Sequence, residues 1–145
     1  MNQYEGLRLK NQLCFPLYSV SNLIIRNYKP LLDELDLTYT QYIVMMVMWE
    51  KEVVNEKELS EAVLLKSNTL TPLIQKLKKK GYVSINKDKK DGRYIVISLT
   101  KQGKELKDKA IYVPSSIAKQ INLEEEEMIY LYKILYKIME TYKNE

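Results

Sequence analysis

The chain has 145 residues, 46% hydrophobic and 29% charged, with a formal net charge of +4, a length that fits one domain with a real core. A single cysteine excludes an internal disulfide and points to a reducing, cytoplasmic setting, while the absence of histidine removes Ser-His-Asp and Cys-His catalysis in their usual forms and leaves a zinc or iron site without its commonest ligand. The longest apolar run, Tyr42 to Trp49, is far short of the ~20 residues of a membrane span, and the chain opens on no signal-peptide pattern, so neither a membrane nor an exported location is expected.

In chain order, Leu13, Leu17, Val20, Ile24 and Tyr28 fall at helical spacing and predict a first helix, with Pro16 near its first turn. Pro30 is expected to interrupt it, leaving Leu31 to Leu35 as a short helical turn. Thr38 or Thr40 can cap a second helix whose inner face is read through Ile43, Met46, Val47 and Glu50. Asn55-Glu56-Lys57-Glu58 is an N-x-x-E cap ahead of Leu59, Ala62 and Val63. Ser67 to Lys80 predicts an amphipathic helix with Leu70, Leu73, Ile74 and Leu77 inward and Thr69, Thr71, Gln75, Lys76 and Lys79 outward. Gly81 ends it. A short strand, the charged turn Asp88 to Arg93 and a second strand, Tyr94 to Leu99, then form a two-stranded wing. Thr100 can cap a helix running past Lys109 toward Ile117, which Pro114 should kink or break. Asn122 is expected to open the last helix, where Glu124 to Glu127 suit the positive end of the helix dipole. Met128, Leu131, Ile134 or Leu135, and Ile138 make its apolar stripe. The expected architecture is mainly α, a single domain over 1–145. Its helix-turn-helix and wing span about 38–100, between terminal helical segments at about 1–30 and 103–145.

Charge is concentrated in one fifth of the chain. Lys66 to Arg93 holds nine Lys/Arg against two acids, a net of +7, while the remainder nets −3. Two short helices a few residues apart, followed by a basic hairpin, are the layout of a winged helix-turn-helix, and duplex DNA is the partner such a patch suits. The second helix opens on small polar residues, Ser67, Asn68, Thr69 and Thr71, which leave its outer face free to approach phosphates and base edges. Pro72, read as lying near the first turn, should cost little there. Gln75 and Lys76 extend that face, and Lys90, Asp91 and Arg93 form the wing tip. Asp91 lies close enough to steer the Arg93 guanidinium toward a narrow minor groove. Lys78-Lys79-Lys80 alone reads as a solvated helix end.

These residues resemble a known family. Asp91-Gly92-Arg93 followed by Ile97-Ser98-Leu99-Thr100 is similar to the D-x-R…L-x-L-T wing signature of the MarR family of bacterial transcription regulators. Leu13-Cys14-Phe15-Pro16-Leu17-Tyr18, Tyr28-Lys29-Pro30-Leu31-Leu32, Leu37-Thr38-Tyr39-Thr40-Gln41-Tyr42 and Thr69-Leu70-Thr71-Pro72-Leu73 resemble its organic-hydroperoxide-sensing, OhrR-type branch. The resemblance covers nearly the whole chain. It implies a homodimer with first and last helices interleaved on an inverted-repeat operator, and it implies no cofactor. Lys66 and Asn68 stand where the branch usually has an acid and a glycine, so a different operator sequence is expected.

The same resemblance bears on Cys14. Read from the residues alone, a cysteine between Leu13 and Phe15 on an apolar stripe is most simply a small hydrophobe. Its place at a helix start favours the thiolate, and twelve tyrosines against one phenylalanine supply phenolic donors that would do the same. In the OhrR-type branch the matching cysteine senses peroxides with tyrosines contributed partly by the partner subunit; the matching positions are Tyr18, Tyr28 and Tyr39. Tyr42, Tyr130, Tyr132 and Tyr136 read as core or interface aromatics. With no second cysteine in the chain, a Cys14 sulfenic acid would persist, close to a sulfenamide, pair with a low-molecular-weight thiol or over-oxidise.

The leading reading is a cytoplasmic, dimeric repressor that senses oxidants through Cys14. A second is the same dimer released from DNA by a phenolic or amphipathic ligand, with Cys14 inert. A thiol peroxidase ranks last, because Arg8, Lys10 and Arg26, the nearest bases in sequence, sit in no motif.

Overall fold

In the computed structural model residues 2–143 are described, and among them lie seven α-helices and three strands. Residues 1, 144 and 145, which include both outer bounds of the expected terminal segments, lie outside that range. The chain divides into two compact units, Met1–Val113 and Pro114–Glu145.

The first unit opens with two 3-10 turns, Glu5–Leu7 and Leu9–Asn11, and helix α1 (Cys14–Asp33). Pro16 is its third residue, where the missing amide had no intrahelical partner. The expected break at Pro30 does not occur. The helix runs through it to Asp33, giving up the one bond to the Arg26 carbonyl on an exposed face. Burial of Leu32, Leu35 and Leu37 around the helix end holds this last turn in place.

Helix α2 (Tyr39–Lys51) is capped by Thr38, whose Oγ1 accepts from the Gln41 amide at 3.2 Å while Gln41 Oε1 accepts from the Thr38 amide at 3.0 Å. The buried face is not the predicted one. Gln41, Tyr42, Val44, Met45, Met48 and Trp49 are inward, whereas Met46 and Glu50 are exposed and Ile43 and Val47 half-buried. All eight residues from Tyr42 to Trp49 are apolar, so their periodicity carries no phase.

Strand β1 (Val53–Asn55) leads directly into helix α3 (Glu56–Val63), where Asn55 Oδ1 caps the Glu58 amide at 2.8 Å. Leu64, at φ 56°, turns the chain into helix α4 (Ser67–Lys79). Leu70, Leu73, Ile74 and Leu77 are buried as expected. Strands β2 (Val83–Lys87) and β3 (Ile95–Leu99) form the wing, but the sheet has three strands rather than two. Its order is β1-β3-β2, all antiparallel, with Ile97 opposite both Val54 and Ile85.

Helix α5 (Lys101–Ala110) starts at Thr100, whose Oγ1 accepts from the Gly103 amide at 3.0 Å and donates to the Gly81 carbonyl at 2.6 Å. Here α5 presses on the wing so closely that a Cβ at Gly103 would lie 2.2 Å from the Tyr82 carbonyl oxygen. The Gly103 carbonyl in turn accepts from the Trp49 indole at 2.9 Å. The expected run toward Ile117 is broken: α5 ends at Ala110, and helix α6 (Val113–Gln120) begins with Pro114 as its second residue, where the missing amide costs no bond.

In the second unit helix α7 (Glu125–Thr141) is capped at Glu124, not at Asn122. The Glu124 amide donates to Glu127 Oε1 at 3.0 Å, and Glu125 to Glu127 fill the first turn. Leu131, Ile134, Leu135 and Ile138 of its stripe are exposed in the single chain, as are Tyr130, Tyr132 and Tyr136, so these tyrosines are not core residues of one chain.

Because backbone cannot retreat at the α5–wing contact, Gly103→Ala should destabilise the fold by about 3 kcal/mol and lower the melting temperature by roughly 5–10 °C. A melting temperature within a degree of the parent would show that the contact yields.

Candidate DNA interface and thiol site

The outer face of α4 gathers the residues singled out for DNA. Ser67, Asn68, Thr69, Thr71, Gln75 and Lys76 are all exposed. No side chain caps the start of the helix at Lys66, and the Thr69 amide donates to the Lys66 carbonyl at 3.0 Å. Pro72 is the sixth residue of α4 and lies inside it, not in the first turn as expected; the amide that would close the helical bond to the Asn68 carbonyl is absent. The Thr71 hydroxyl is already committed, donating to Glu56 Oε1 of α3 at 2.7 Å.

Beyond α4, the wing tip is ordered by its acids. Asp88 Oδ1 accepts from the Lys90 amide at 2.9 Å, and Asp91 Oδ1 accepts from the Arg93 amide at 3.1 Å. The Arg93 guanidinium forks onto Asp91, with Nη2 to Oδ2 at 2.8 Å and Nε to Oδ1 at 3.0 Å. That fork, with the backbone bond beside it, holds the Asp91 carboxyl below its ordinary range and the Arg93 guanidinium above its own. Ser67 and Arg93 meet across one open groove of about 350 Å³, with Glu56, Lys57, Ser60, Glu61, Tyr94 and Ile95 as its other walls. The helix start and the wing arginine therefore address the same space.

Lys80 leaves the basic patch. Its Nζ donates to the Asp36 carbonyl at 2.5 Å and to Gln41 Oε1 at 3.1 Å, tying the end of α4 to the cap of α2. Lys78 and Lys79 stay exposed, so of the basic triplet only these two are the solvated helix end expected.

The residues proposed for redox sensing fall into two groups. Cys14 is exposed and is the first residue of α1, and Tyr18 is one turn along, also exposed. Tyr28 lies fourteen residues from Cys14 on the same helix, roughly 21 Å along its axis at 1.5 Å per residue. It packs against Tyr39 of α2 with ring centroids 5.0 Å apart. One chain thus unites Tyr28 with Tyr39 and holds both away from Cys14.

Tyr42 completes the aromatic cluster, 5.7 Å from Tyr28 and 6.4 Å from Tyr39. Tyr42, expected as a core or interface aromatic, joins the pair, and its i,i+3 spacing from Tyr39 is the signal for this. Burial, then the neighbouring Tyr39 and Tyr42, pushes the Tyr28 phenol up to about 12. Burial also raises Tyr39, and burial with Tyr39 raises Tyr42. These phenols stay protonated, and so remain donors, throughout the pH range in which a thiol ionises.

A helix-turn-helix with a basic two-stranded wing on a three-stranded sheet defines a winged-helix, DNA-binding transcription regulator. The profile of the transcriptional regulator SarA/Rot family matches residues 26–110, more than half of the chain, and the chain belongs to that family. An organic hydroperoxide resistance transcriptional regulator of Bacillus subtilis is 37% identical over 140 residues, 97% of this chain and 95% of its own length. The HTH-type transcriptional regulator SarZ of Staphylococcus aureus is 45% identical over 123 residues, 85% of this chain and 83% of its own. Reduced AbfR bound to DNA is similar in structure, with a TM-score of 0.79 at 32% identity, covering 94% of this chain and 97% of that one.

Two outcomes follow from this geometry. Arg93→Ala should weaken binding to the protein's own upstream DNA and reduce the slope of log affinity against log salt by about one per wing, since one phosphate-neutralising cation is lost. An unchanged slope would remove Arg93 from the interface. For Tyr28, a folded-state pKa above that of the unfolded chain stabilises the fold fully below pH 10, and this contribution is lost as pH rises from 10 toward about 12. Urea midpoints across that window should fall less steeply for Tyr28→Phe than for the parent; parallel curves would contradict the assigned burial.

Proposed function

We propose that the protein is a homodimeric repressor that leaves an inverted-repeat DNA site when an organic hydroperoxide oxidises Cys14. The observation that carries this reading is the arrangement of α1. Its exposed thiol and the Tyr28–Tyr39 pair lie at opposite ends of one helix whose intervening Leu17, Val20, Leu23 and Ile25 are exposed in the single chain. Two copies of α1 packed antiparallel would cover those side chains and bring each thiol to the phenols of the other copy. The exposed stripe of α7 is the second surface that a dimer would bury, and segments of about 1–30 and 103–145 are assigned to that role. The α4 face and the wing, about 38–100, are assigned to DNA.

The chemistry balances without a cofactor. The Cys14 thiolate attacks the outer oxygen of the hydroperoxide; an S–O bond forms, the O–O bond breaks, and the alkoxide leaves and takes a proton as the alcohol. Sulfur is oxidised to the sulfenic acid and the hydroperoxide is reduced. A low-molecular-weight thiol then condenses with the sulfenic acid, forming S–S and releasing water. Overoxidised AbfR, 32% identical, has been solved on DNA at a TM-score of 0.77. This favours the bulkier mixed disulfide as the form that shifts the spacing of the two α4 helices in the present protein.

In the test, Cys14→Ser binds DNA like the reduced parent in fluorescence anisotropy, and only the parent is released by cumene hydroperoxide plus a small thiol. Release of the variant under the same conditions would sink the assignment. A second reading is favoured by one observation: an open groove of about 270 Å³ beside the tyrosines, where Ile25, Leu32 and Leu37 supply apolar walls and Arg26, Lys29, Asp33, Thr38 and Tyr39 polar ones, with Lys29 paired to Asp33. Release of Cys14→Ser by a phenolic ligand, with no oxidant, would establish that ligand-sensing alternative.

A further inference from the structure

Thr71 stands on the exposed face of α4, and its only hydroxyl proton is already engaged. It donates to Glu56 Oε1 at 2.7 Å, across the helix-turn-helix from the first residue of α3. A threonine hydroxyl has one donor and two acceptor positions, and a free one rotates to suit either kind of partner. With the proton held by a carboxylate, the face turned to a DNA groove offers lone pairs alone. Glu56 is itself the first residue of α3, at the positive end of the helix dipole, a place that suits a carboxylate. It also lines the groove that Ser67 and Arg93 share, within reach of the edge of the interface.

We infer that Glu56 is a specificity-determining residue: by fixing the Thr71 hydroxyl as an acceptor, it selects a base that presents an amino donor in the major groove. Only adenine N6 and cytosine N4 present one there; guanine offers acceptors, and thymine an acceptor and a methyl group. Glu56 acts through Thr71 and is a positioning residue, touching no base. This rests on the assignment of α4 as the DNA-reading helix. The carboxylate has a second effect of opposite character, since its charge repels phosphate whatever the sequence. The two effects separate by substitution. Glu56→Gln removes the charge but keeps an oxygen for the Thr71 proton. Glu56→Ala removes both.

The experiment is a binding selection from a randomised operator library with four full-length proteins: parent, Thr71→Val, Glu56→Ala and Glu56→Gln. The selected sites are then quantified one base at a time by anisotropy. The parent should prefer A or C over G or T at one position per half-site by roughly 5- to 100-fold. Thr71→Val should lose that preference there and nowhere else. Glu56→Ala should lose it at the same position, because the hydroxyl becomes free to donate to guanine or thymine. Glu56→Gln should restore it while binding all sequences more tightly. If Glu56→Ala changes affinity equally for every base, Glu56 acts by charge alone and the inference is overturned. If Thr71→Val leaves every preference intact, the inference falls together with the role given to Thr71 on α4. Equal melting temperatures for the four proteins, free of DNA, show that a lost preference is not lost folding.

Discussion

Burial of α2 is the constraint on which the other elements of the first unit depend. Tyr42, Val44, Met45 and Met48 leave almost no surface exposed, and each end of the helix is tied by polar bonds to a different neighbour. At its start, Gln41 accepts from the backbone of Thr38 and from Lys80 at the end of α4. At its end, the Trp49 indole holds the Gly103 carbonyl of α5, and the Glu52 carbonyl just beyond accepts from the Leu99 amide of β3 at 2.8 Å. Helix α4, the wing and α5 are therefore referred to one rigid axis. The Lys80 bonds give the tyrosine-bearing end of α2 a direct polar link to the end of α4.

The net of +7 between Lys66 and Arg93 overstates how much bare positive charge the segment presents. Lys80 is turned into the α1–α2 junction, Arg93 is held by Asp91, and Glu56 and Glu61 line the groove between helix and wing. Each of these lowers sequence-independent attraction, which would otherwise dominate. What they give in exchange is orientation. The Arg93 guanidinium, forked on Asp91, is held in one pose, and the Thr71 hydroxyl proton is held by Glu56.

Local pattern made much of this legible. The phase of α4 is plain because its leucines alternate with lysines and threonines, and Thr38, Asn55 and Thr100 cap where their sequences indicate. The phase of α2 was not, since a helix apolar nearly all round has no polar face to mark its outside. Pro30 misled because a proline rule is local, whereas burial of Leu32 and Leu35 decides at the level of the core. β1 is three residues long and exists only because β3 pairs with it. Of the site, the residues of α4 and the wing could be chosen from the chain, but the bonds that set their chemistry could not. Thr71 to Glu56 and Lys80 to Gln41 link positions fifteen and thirty-nine residues apart, with no spacing signal between them.

The roughly 21 Å between Cys14 and Tyr28 along α1 also has a genetic consequence. On the reading in which each sensing site takes its thiol from one copy and its phenols from the other, every site is the joint product of two polypeptides. A subunit lacking Cys14 and a subunit lacking Tyr28 would then complement each other in a mixed dimer: both defects fall in one site, and the other is fully intact. Two alleles, each insensitive when alone, would together restore a response, whereas the same two changes in one allele would not rescue each other.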